Sequence, residues 1–293
     1  MLQRLLPAFS VCMCLTTMAQ PGDPYKPSFD APAEKAGYKL VWHDEFDMDG
    51  KPDSDNWKFE NGFVRNEELQ WYQPGNATCA NGVLVIEGRR EQVKNNNHQP
   101  GATDWRLNRP FAEYTSASLK TSGLHQWLFG VFEIRARIDT AKGSWPAIWT
   151  LGINGEWPSN GEIDLMEFYR VDHQPTVLAN TAWGTAKRYT AKWNTKRIPL
   201  AYFTAKDSNW INKFHVWKME WTKDAIKLFL DDELLNTTVL TTTVNPNGIN
   251  PFLQPHFLLL NLALGGNGED PDAATNLVKY EVDYVRVYQP KER

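Results

Sequence analysis

The chain has 293 residues, of which 42% are hydrophobic and 23% charged, so it is long enough to bury a full hydrophobic core. Its formal net charge of -4 gives no basic field for holding phosphates, which argues against nucleic acid and anionic membrane surfaces as partners and favours a neutral ligand. The 13 Trp residues indicate either an aromatic core or rings that lie against a flat ligand.

Residues 1–19 have the pattern of an export signal. Arg4 precedes a short apolar stretch, and small residues follow it before the expected cleavage after Ala19. The stretch is too short to span a membrane, and no later one reaches the required length. We therefore expect an exported protein, periplasmic or extracellular, without a membrane span. Two of the three cysteines lie within the signal, which leaves Cys79 without a partner for an internal disulfide.

Residues 20–36 are rich in proline, glycine and charge and show no apolar period, which predicts a tether. From residue 37 to residue 290 apolar side chains recur at every second position, as in the runs 132–138 and 217–221. Turn pairs such as Asn81-Gly82 separate these runs, and no stretch sustains a helical stripe. We predict one all-β domain, a sandwich or jelly roll, that is a monomer.

The stretch WPSNGEIDLMEFY places three carboxylates within six residues of one predicted strand. On a regular strand Glu162 and Asp164 share a face, whereas Glu167 points to the other side. A β-bulge within Leu165–Met166 would return Glu167 to the first face, because it adds one residue to the strand. All three acids would then line one surface.

Such a surface is typical of glycosidic bond hydrolysis with retention, which needs two carboxyl groups roughly 5–5.5 Å apart. Glu162 and Glu167 would supply the pair, with Asp164 between them holding the nucleophile in place. Crowding of like charges raises the pKa of at least one group, so that one acid stays protonated near neutral pH. The alternatives are a solvated strand edge or a calcium site. Calcium ligands usually lie on loops rich in Asp, Asn and Gly rather than among apolar residues, so the pattern favours catalysis.

Tryptophans surround the acid motif. GSWPAIWTLG places Trp145 and Trp149 on one face of a strand that is expected to pair near the acids, and Trp157 directly precedes the acid strand. Indole rings beside carboxylates suit a sugar chain. Trp145 and Trp149 are also compatible with a place in the core, whereas Trp157 is the stronger candidate for stacking.

Taken together, these motifs resemble glycoside hydrolase family 16. The resemblance runs from about Gly37 to Gln289. It rests on five motifs that follow one another along the chain in that family's order: RNEELQWY, WPAIW, EIDLME, HFLLLNLALGG and YEVDYVRVYQ. The extra residue before the second glutamate resembles the branch that contains laminarinases, mixed-linkage β-glucanases and related galactan-cutting enzymes. The resemblance implies a β-jelly-roll sandwich with an open cleft on its concave sheet, with Glu162 as nucleophile, Glu167 as acid/base and Asp164 as the assisting carboxylate.

The same resemblance implies the residues that bind substrate. Asn66 would reach a sugar hydroxyl near the cleavage point, and Trp145 and Trp157 would form walls of the cleft. Trp183 stands where many laminarinases look to have a histidine on the strand after the acids, so it would shape the subsite. His256 would supply an imidazole to the cleft, or else be a buried core histidine.

A structural calcium ion is also common in the family, and the matching positions here are Glu45 and Asp283. Both are equally compatible with plain surface acids. No cofactor is expected for catalysis, because no zinc, serine-hydrolase or nucleotide motif occurs.

We therefore predict an endo-acting, retaining hydrolase of β-1,3-glucan or mixed-linkage β-1,3/1,4-glucan. An endo-β-galactanase of the same family, acting on an arabinogalactan, agar or mucin-type chain, is the first alternative. A non-catalytic sugar-binding jelly roll is the second, since a fold does not determine a function.

Overall fold

The computed structural model describes residues 23–30, 32 and 34–291, so the predicted export signal lies outside the described residues. The strands in chain order are β1 (Tyr38–Asp44), β2 (Lys58–Phe59), β3 (Gln70–Tyr72), β4 (Ala77–Ala80), β5 (Val83–Arg89), β6 (Val93–Lys94), β7 (Phe111–Ala112), β8 (Tyr114–Ser116), β9 (Ser118–Lys120), β10 (Gly130–Ile138), β11 (Ser144–Gly152), β12 (Glu162–Val171), β13 (Gln174–Gly184), β14 (Ala191–Pro199), β15 (His215–Trp221), β16 (Ala225–Leu230), β17 (Glu233–Val239), β18 (His256–Leu264) and β19 (Leu277–Pro290). The two α-helices of the described residues are α1 (Trp105–Asn108) and α2 (Leu200–Lys206). Short 3-10 turns cover Pro74–Asn76, Trp210–Asn212, Leu240–Thr242, Pro251–Leu253 and Gly266–Gly268.

Two large sheets organise these strands. A ten-stranded sheet runs in the order β17-β16-β15-β10-β19-β5-β8-β3, with β1 also paired to β19 and β4 to β5. A seven-stranded sheet runs in the order β14-β13-β12-β11-β18-β9-β2. Neighbouring strands are antiparallel apart from the pair β3 and β8, and non-consecutive neighbours are joined by crossovers between the sheets. The prediction of an all-β jelly-roll sandwich is confirmed.

The hydrophobic core lies between the two sheets. Alternate residues of β10 and β15, such as Phe132 and Trp217, meet alternate residues of β12 and β18, such as Met166 and Leu260, and all four side chains are fully buried. Each large apolar side chain contributes about 1.5–3 kcal/mol on burial. Because one face of the seven-stranded sheet faces this core, its other face is left for polar side chains. No helix among the described residues has the length and hydrophobicity that a membrane span requires.

The described part of the predicted tether is attached to the domain. The Ser28 N–H donates to the Asp283 carboxylate over 2.9 Å, Arg135 donates to the Lys26 carbonyl over 3.0 Å, and Arg286 donates to the Asp30 carbonyl over 2.8 Å. Residues 23–30 of the predicted tether therefore lie against the domain. The missing apolar period correctly excluded regular structure, but the segment follows charged groups of the ten-stranded sheet that local composition does not reveal.

Candidate active site

The three acids of β12 lie on one face of the seven-stranded sheet, which we call the acid face. Across β13, Asp164 is opposite Asn180 and Glu167 is opposite Leu178, so two residues of β12 face a single residue of β13 between these pairs. The extra residue is the β-bulge predicted within Leu165–Met166, and both of these side chains are fully buried on the core side. The bulge is confirmed, and it returns Glu167 to the face of the other acids.

A tight turn sets the start of the acid strand. The Asn160 N–H donates to the Glu156 carbonyl, and the Gly161 N–H donates to the Pro158 carbonyl, each over 3.0 Å. Gly161 has a φ of 79°, and a Cβ atom there would lie 2.9 Å from Pro251 Cβ. Glycine is required here for both reasons, and the turn fixes the direction in which Glu162 leaves it.

Three donors hold the carboxylates in place. Trp157 Nε1 donates to Glu162 Oε2 over 2.9 Å, and Trp145 Nε1 donates to Glu167 Oε1 over 3.0 Å. The Asn180 amide Nδ2 donates both to Glu167 Oε2 over 2.8 Å and to Asp164 Oδ2 over 3.2 Å. One amide thus bridges two of the acids, and each of the three carboxylates has a fixed orientation.

Burial raises the pKa of all three carboxyl groups above their ordinary values. The negative charge of Glu167 raises the pKa of Glu162 further, and both glutamates act on Asp164 in the same way. The hydrogen bonds from Trp157, Trp145 and Asn180 oppose these rises, because they stabilise the ionised forms. The acids therefore titrate as one coupled set that retains a proton near neutral pH.

Two further charges act in opposite directions on the pKa values of the two glutamates. The Arg65 guanidinium lowers the pKa of Glu162, whereas the Glu68 carboxylate raises the pKa of Glu167. A positive neighbour favours an ionised Glu162, and a negative neighbour favours a protonated Glu167. Both effects are smaller than that of burial, which leaves the pKa of Glu162 at about 8 and that of Glu167 at about 7, so these pKa values do not by themselves assign the nucleophile and the proton donor.

The loop that carries Arg65 and Glu68 stands over the acid face. Arg65 forms an ion pair with Glu60, and its guanidinium lies 5.0 Å from the centre of the Trp149 ring. Asn66 is exposed on this loop and donates to Glu68 over 3.2 Å. A Cβ atom on Gly266 would lie within about 4 Å of both the Asn66 carbonyl and the Trp145 ring, so Asn66 and Trp145 border the same corner of the site.

The predicted tryptophans Trp145, Trp149 and Trp157 are all on the acid side. Trp149 packs with Ala147 and Leu259 in a small cluster outside the main core, and its Nε1 donates to Asn261 over 2.6 Å. Trp145 is 6% exposed, whereas Trp157 is 38% exposed. Trp149 therefore forms part of the floor of the site, and Trp157 presents a ring to solvent.

Two of the predicted substrate residues, Trp183 and His256, do not lie on the acid face, and for His256 the alternative of a buried core histidine holds. Trp183 belongs to the main core, because on β13 it shares a face with the core residues Val177 and Ala179, whereas Asn180 faces the acids. His256 is also on the core side. Its Nε2 donates to the Pro251 carbonyl and its Nδ1 accepts from the Thr150 hydroxyl, each over 3.0 Å. Burial lowers the pKa of His256 to about 4, so this imidazole is neutral and supplies nothing to the acid face.

The predicted calcium ligands do not fit a calcium ion. Both carboxylate oxygens of Glu45 accept hydrogen bonds from Arg286, over 2.9 and 2.7 Å. Asp283 is buried against Arg135 and also accepts the Ser28 N–H. Each carboxylate is thus neutralised by its own guanidinium, and the described residues contain no group of three or more His, Cys, Asp or Glu arranged to hold a metal.

Several residues of the site were missed from the sequence, namely Arg65, Glu68, Asn180 and Asn261. A signal for Asn180 was present, since it is the polar residue in the apolar run of β13 and its position alternates with the core residues. Asn261 interrupts the apolar run of β18 in the same way. Arg65 and Glu68 lie on a loop, whose position the sequence does not specify.

Comparison with known proteins agrees with this geometry. The model of the family described as glycosyl hydrolases family 16 matches residues 84–286. A β-glucanase of Rhodothermus marinus is 36% identical over 273 residues, which cover 86% of this chain and 85% of the relative. A solved structure from work on endo-acting O-glycanases that human gut microbiota use to initiate mucin breakdown has a TM-score of 0.79 at 36% identity, covering 90% of this chain and 95% of that one. The catalytic domain of an endo-1,3-β-glucanase (laminarinase) from Thermotoga petrophila has a TM-score of 0.71 at 32% identity, covering 87% of this chain and 99% of that one. The chain therefore belongs to glycosyl hydrolase family 16.

Proposed function

We propose that this protein is a retaining, endo-acting hydrolase of β-1,3-glucan or mixed-linkage β-1,3/1,4-glucan. The observation that carries the proposal is the bulged strand, which places Glu162 and Glu167 on one face, where each accepts a hydrogen bond from an indole. A sugar-binding protein without activity has no use for such a pair. The β-glucanase relative and the laminarinase structure support a glucan as substrate.

In the first step the ionised Glu162 attacks the anomeric carbon, and the glycosidic oxygen leaves with the proton of Glu167. A covalent bond between the sugar and Glu162 replaces the glycosidic bond. In the second step Glu167, now ionised, takes a proton from water, whose oxygen attacks the anomeric carbon and releases Glu162. Both carboxyl groups return to their starting state, and no cofactor takes part.

Asp164 and Asn180 support this cycle. Asn180 donates to both Asp164 and Glu167, so it holds the acid/base in position while its protonation changes. Asp164 is buried between the glutamates, and burial raises its pKa. A protonated Asp164 beside Glu162 avoids a third negative charge and orients the nucleophile.

Substrate contacts follow from the rings and the loop around the acids. The exposed Trp157 ring stacks on a pyranose face, while Trp145 and Asn66 border the opposite side of the acid pair. Stacking gives affinity without identity, so hydrogen bonds from residues such as Asn66 determine which sugar is accepted.

A β-galactan backbone is the second candidate substrate. The observation in its favour is the O-glycanase structure, which has the same identity to this chain as the β-glucanase relative. The acid pair serves either backbone, because both sugars react through the same anomeric chemistry.

The test is incubation with laminarin, barley β-glucan, a β-1,3-galactan and agarose, followed by sizing of the products. We expect short oligosaccharides from a glucan, and none from the Glu162→Gln variant. Release from a galactan alone would replace the glucan with the second candidate. Unchanged turnover by Glu162→Gln would refute the mechanism for every substrate.

We also propose that the protein is exported and acts as a monomer. The apolar stretch after Arg4 and the small residues before Ala19 support export. Mass spectrometry of the mature amino terminus and size-exclusion chromatography test the two statements.

A further inference from the structure

The edge strand β14 extends the acid face beyond the acids. Its register with β13 is regular, so residues at paired positions point to the same side. Trp193 pairs with Ala182, which pairs with Glu162. Trp193 therefore lies in the same row as the proposed nucleophile, two strand spacings away, which is roughly 10 Å.

On β14, the residue in register with the proposed acid/base Glu167 is a cation, Arg197. Arg197 pairs with Leu178, which pairs with Glu167, so the Arg197 side chain is also on the acid face. Burial raises the pKa of Tyr169, and the Arg197 guanidinium is close enough to oppose that rise. Since Tyr169 packs edge-on against Trp145, with ring centres 5.3 Å apart, Arg197 stands beside the aromatic side of the site.

Trp193 and Arg197 are both accessible to solvent. Trp193 is 44% exposed, and Arg197 is exposed as well. Among the residues that the structure describes, no acid lies within ion-pairing distance of Arg197, in contrast to Arg188, which pairs with Glu156. A flat ring and an unpaired guanidinium thus lie on the same face of β14, roughly 13 Å apart along the strand, and both meet a glycan that crosses the acid face.

The surrounding segment is strongly positive, although the whole chain has a net charge of -4. Residues 173–206 contain six Lys and Arg and no Asp or Glu. Lys192 and Lys196 alternate with Trp193 and Arg197 and therefore point to the other side of β14. Arg188 and Lys206 pair with Glu156 and Glu233, and the four remaining cations leave a positive charge along this segment, which favours anionic ligands.

We propose that Trp193 and Arg197 form a distal subsite that binds a sugar unit carrying an anionic substituent, a sulfate ester or a carboxylate. This inference rests on the proposed hydrolase activity, because it requires a glycan lying across the acid face from Glu162 toward β14. It adds to the glucan or galactan backbone a substituent that the proposed function does not specify. Trp193 stacks on the sugar ring about two units from the cleaved bond, and Arg197 donates two parallel hydrogen bonds to the anionic group. The guanidinium fork fits sulfate and carboxylate oxygens alike.

The experiment measures binding in the Glu162→Gln background, where the ligand is not consumed. The probes are laminarin and a β-1,3-galactan, each in three forms: neutral, sparsely sulfated and sparsely carboxymethylated. Affinity electrophoresis gives the dissociation constant for each form at low and at high salt. The two anionic forms distinguish sulfate from carboxylate as the natural substituent.

We expect at least one anionic form to bind about tenfold more tightly than the neutral form, which corresponds to one charge-assisted hydrogen-bonded contact. Added Arg197→Gln should remove this preference, and high salt should reduce it. Lys196→Gln is the matched control, because it removes the same charge from the neighbouring residue on the other face, and the preference should persist. Trp193→Ala should weaken binding of all three forms.

Equal affinity for neutral and anionic forms would overturn the inference, as would equal effects of Arg197→Gln and Lys196→Gln. Unchanged affinity in Trp193→Ala would remove the stacking contact and overturn the subsite as described. Failure of the proposed function has a different signature. In that case the wild-type protein would hydrolyse no polysaccharide of the panel, whatever the charge preference in binding.

Discussion

The two proposed catalytic glutamates each accept a hydrogen bond from a different indole, so their pKa values can be shifted separately. Trp145 Nε1 donates to Glu167 and Trp157 Nε1 donates to Glu162. Replacing either tryptophan by phenylalanine removes the donor and keeps an aromatic ring. A hydrogen bond to an ionised carboxylate lowers its pKa, so the loss of that bond raises the pKa of the carboxyl group concerned.

The two substitutions should move opposite limbs of the pH profile. Trp157→Phe raises the pKa of Glu162, which must be ionised to attack, so the acidic limb of kcat/KM moves to higher pH. Trp145→Phe raises the pKa of Glu167, which must be protonated to donate, so the basic limb moves to higher pH. Because the acids titrate as a set, each limb reports a macroscopic pKa, and the prediction concerns which limb moves further.

The two indole hydrogen bonds also determine how far each limb of the pH profile should move. A hydrogen bond to a charged group contributes about 1.5–3 kcal/mol, which is a factor of about ten or more in proton affinity. Trp145 is 6% exposed, so water replaces its donor poorly and the full factor is expected for Glu167. Trp157 is 38% exposed, so solvent screens its contact and the acidic limb should move by less than that.

The assay is kcat/KM on a soluble oligosaccharide across the pH range in which both limbs are visible. Trp149→Phe is the matched control, because Trp149 Nε1 donates to the neutral amide of Asn261 rather than to an acid. Neither limb should move in this control. If both test variants moved the same limb, or if the control moved the limbs as they do, the assignment of roles to Glu162 and Glu167 would be refuted.

Further predictions concern stability. The pKa of Glu162 is raised from 4.5 to about 8 in the folded protein, so its contribution to stability is lost as pH rises through about 8. Glu162→Gln should therefore raise the unfolding temperature more at alkaline than at acidic pH. An equal gain at both would contradict the raised pKa. The pKa of His256 is lowered from 6.5 to about 4, so its contribution is lost as pH falls between these values, and urea titrations of His256→Gln should show a flatter acid dependence than the wild type. Arg135→Met leaves Asp283 buried without its partner and should lower the free energy of unfolding by about 3–5 kcal/mol. Calcium and chelators should leave the wild-type melting curve unchanged, because Glu45 and Asp283 already bind guanidinium groups.

The acid strand could be predicted from the sequence because its pattern is local. Glu162, Asp164 and Glu167 lie among apolar residues at a spacing that one bulge reconciles with a single face. The strands β10 and β15 could likewise be predicted, because apolar side chains alternate with polar ones where a single face of a strand is buried. These features depend on neighbours along the chain, which a sequence shows directly.

The errors concern features that depend on register between strands or on distant groups. Trp183 was predicted to lie on the acid face, and His256 was left open between the cleft and the core. The amides Asn180 and Asn261 identify the acid face on these two strands by alternation. A shift of one position reverses the side of a strand on which a residue lies. The sequence left Glu45 and Asp283 open between calcium ligands and surface acids, and it did not reveal their guanidinium partners. The guanidinium partners come from distant parts of the chain, as in the pair of Glu45 with Arg286.

The central claim is that Glu162 and Glu167 act by double displacement, and the stereochemistry of the first product tests it most directly. A double displacement requires carboxyl groups about 5 Å apart, which leaves no room for a water molecule between the nucleophile and the sugar, so configuration is retained. Proton NMR during the first minutes of hydrolysis of a β-linked substrate should show the β anomer before mutarotation. An initial α anomer would contradict the account.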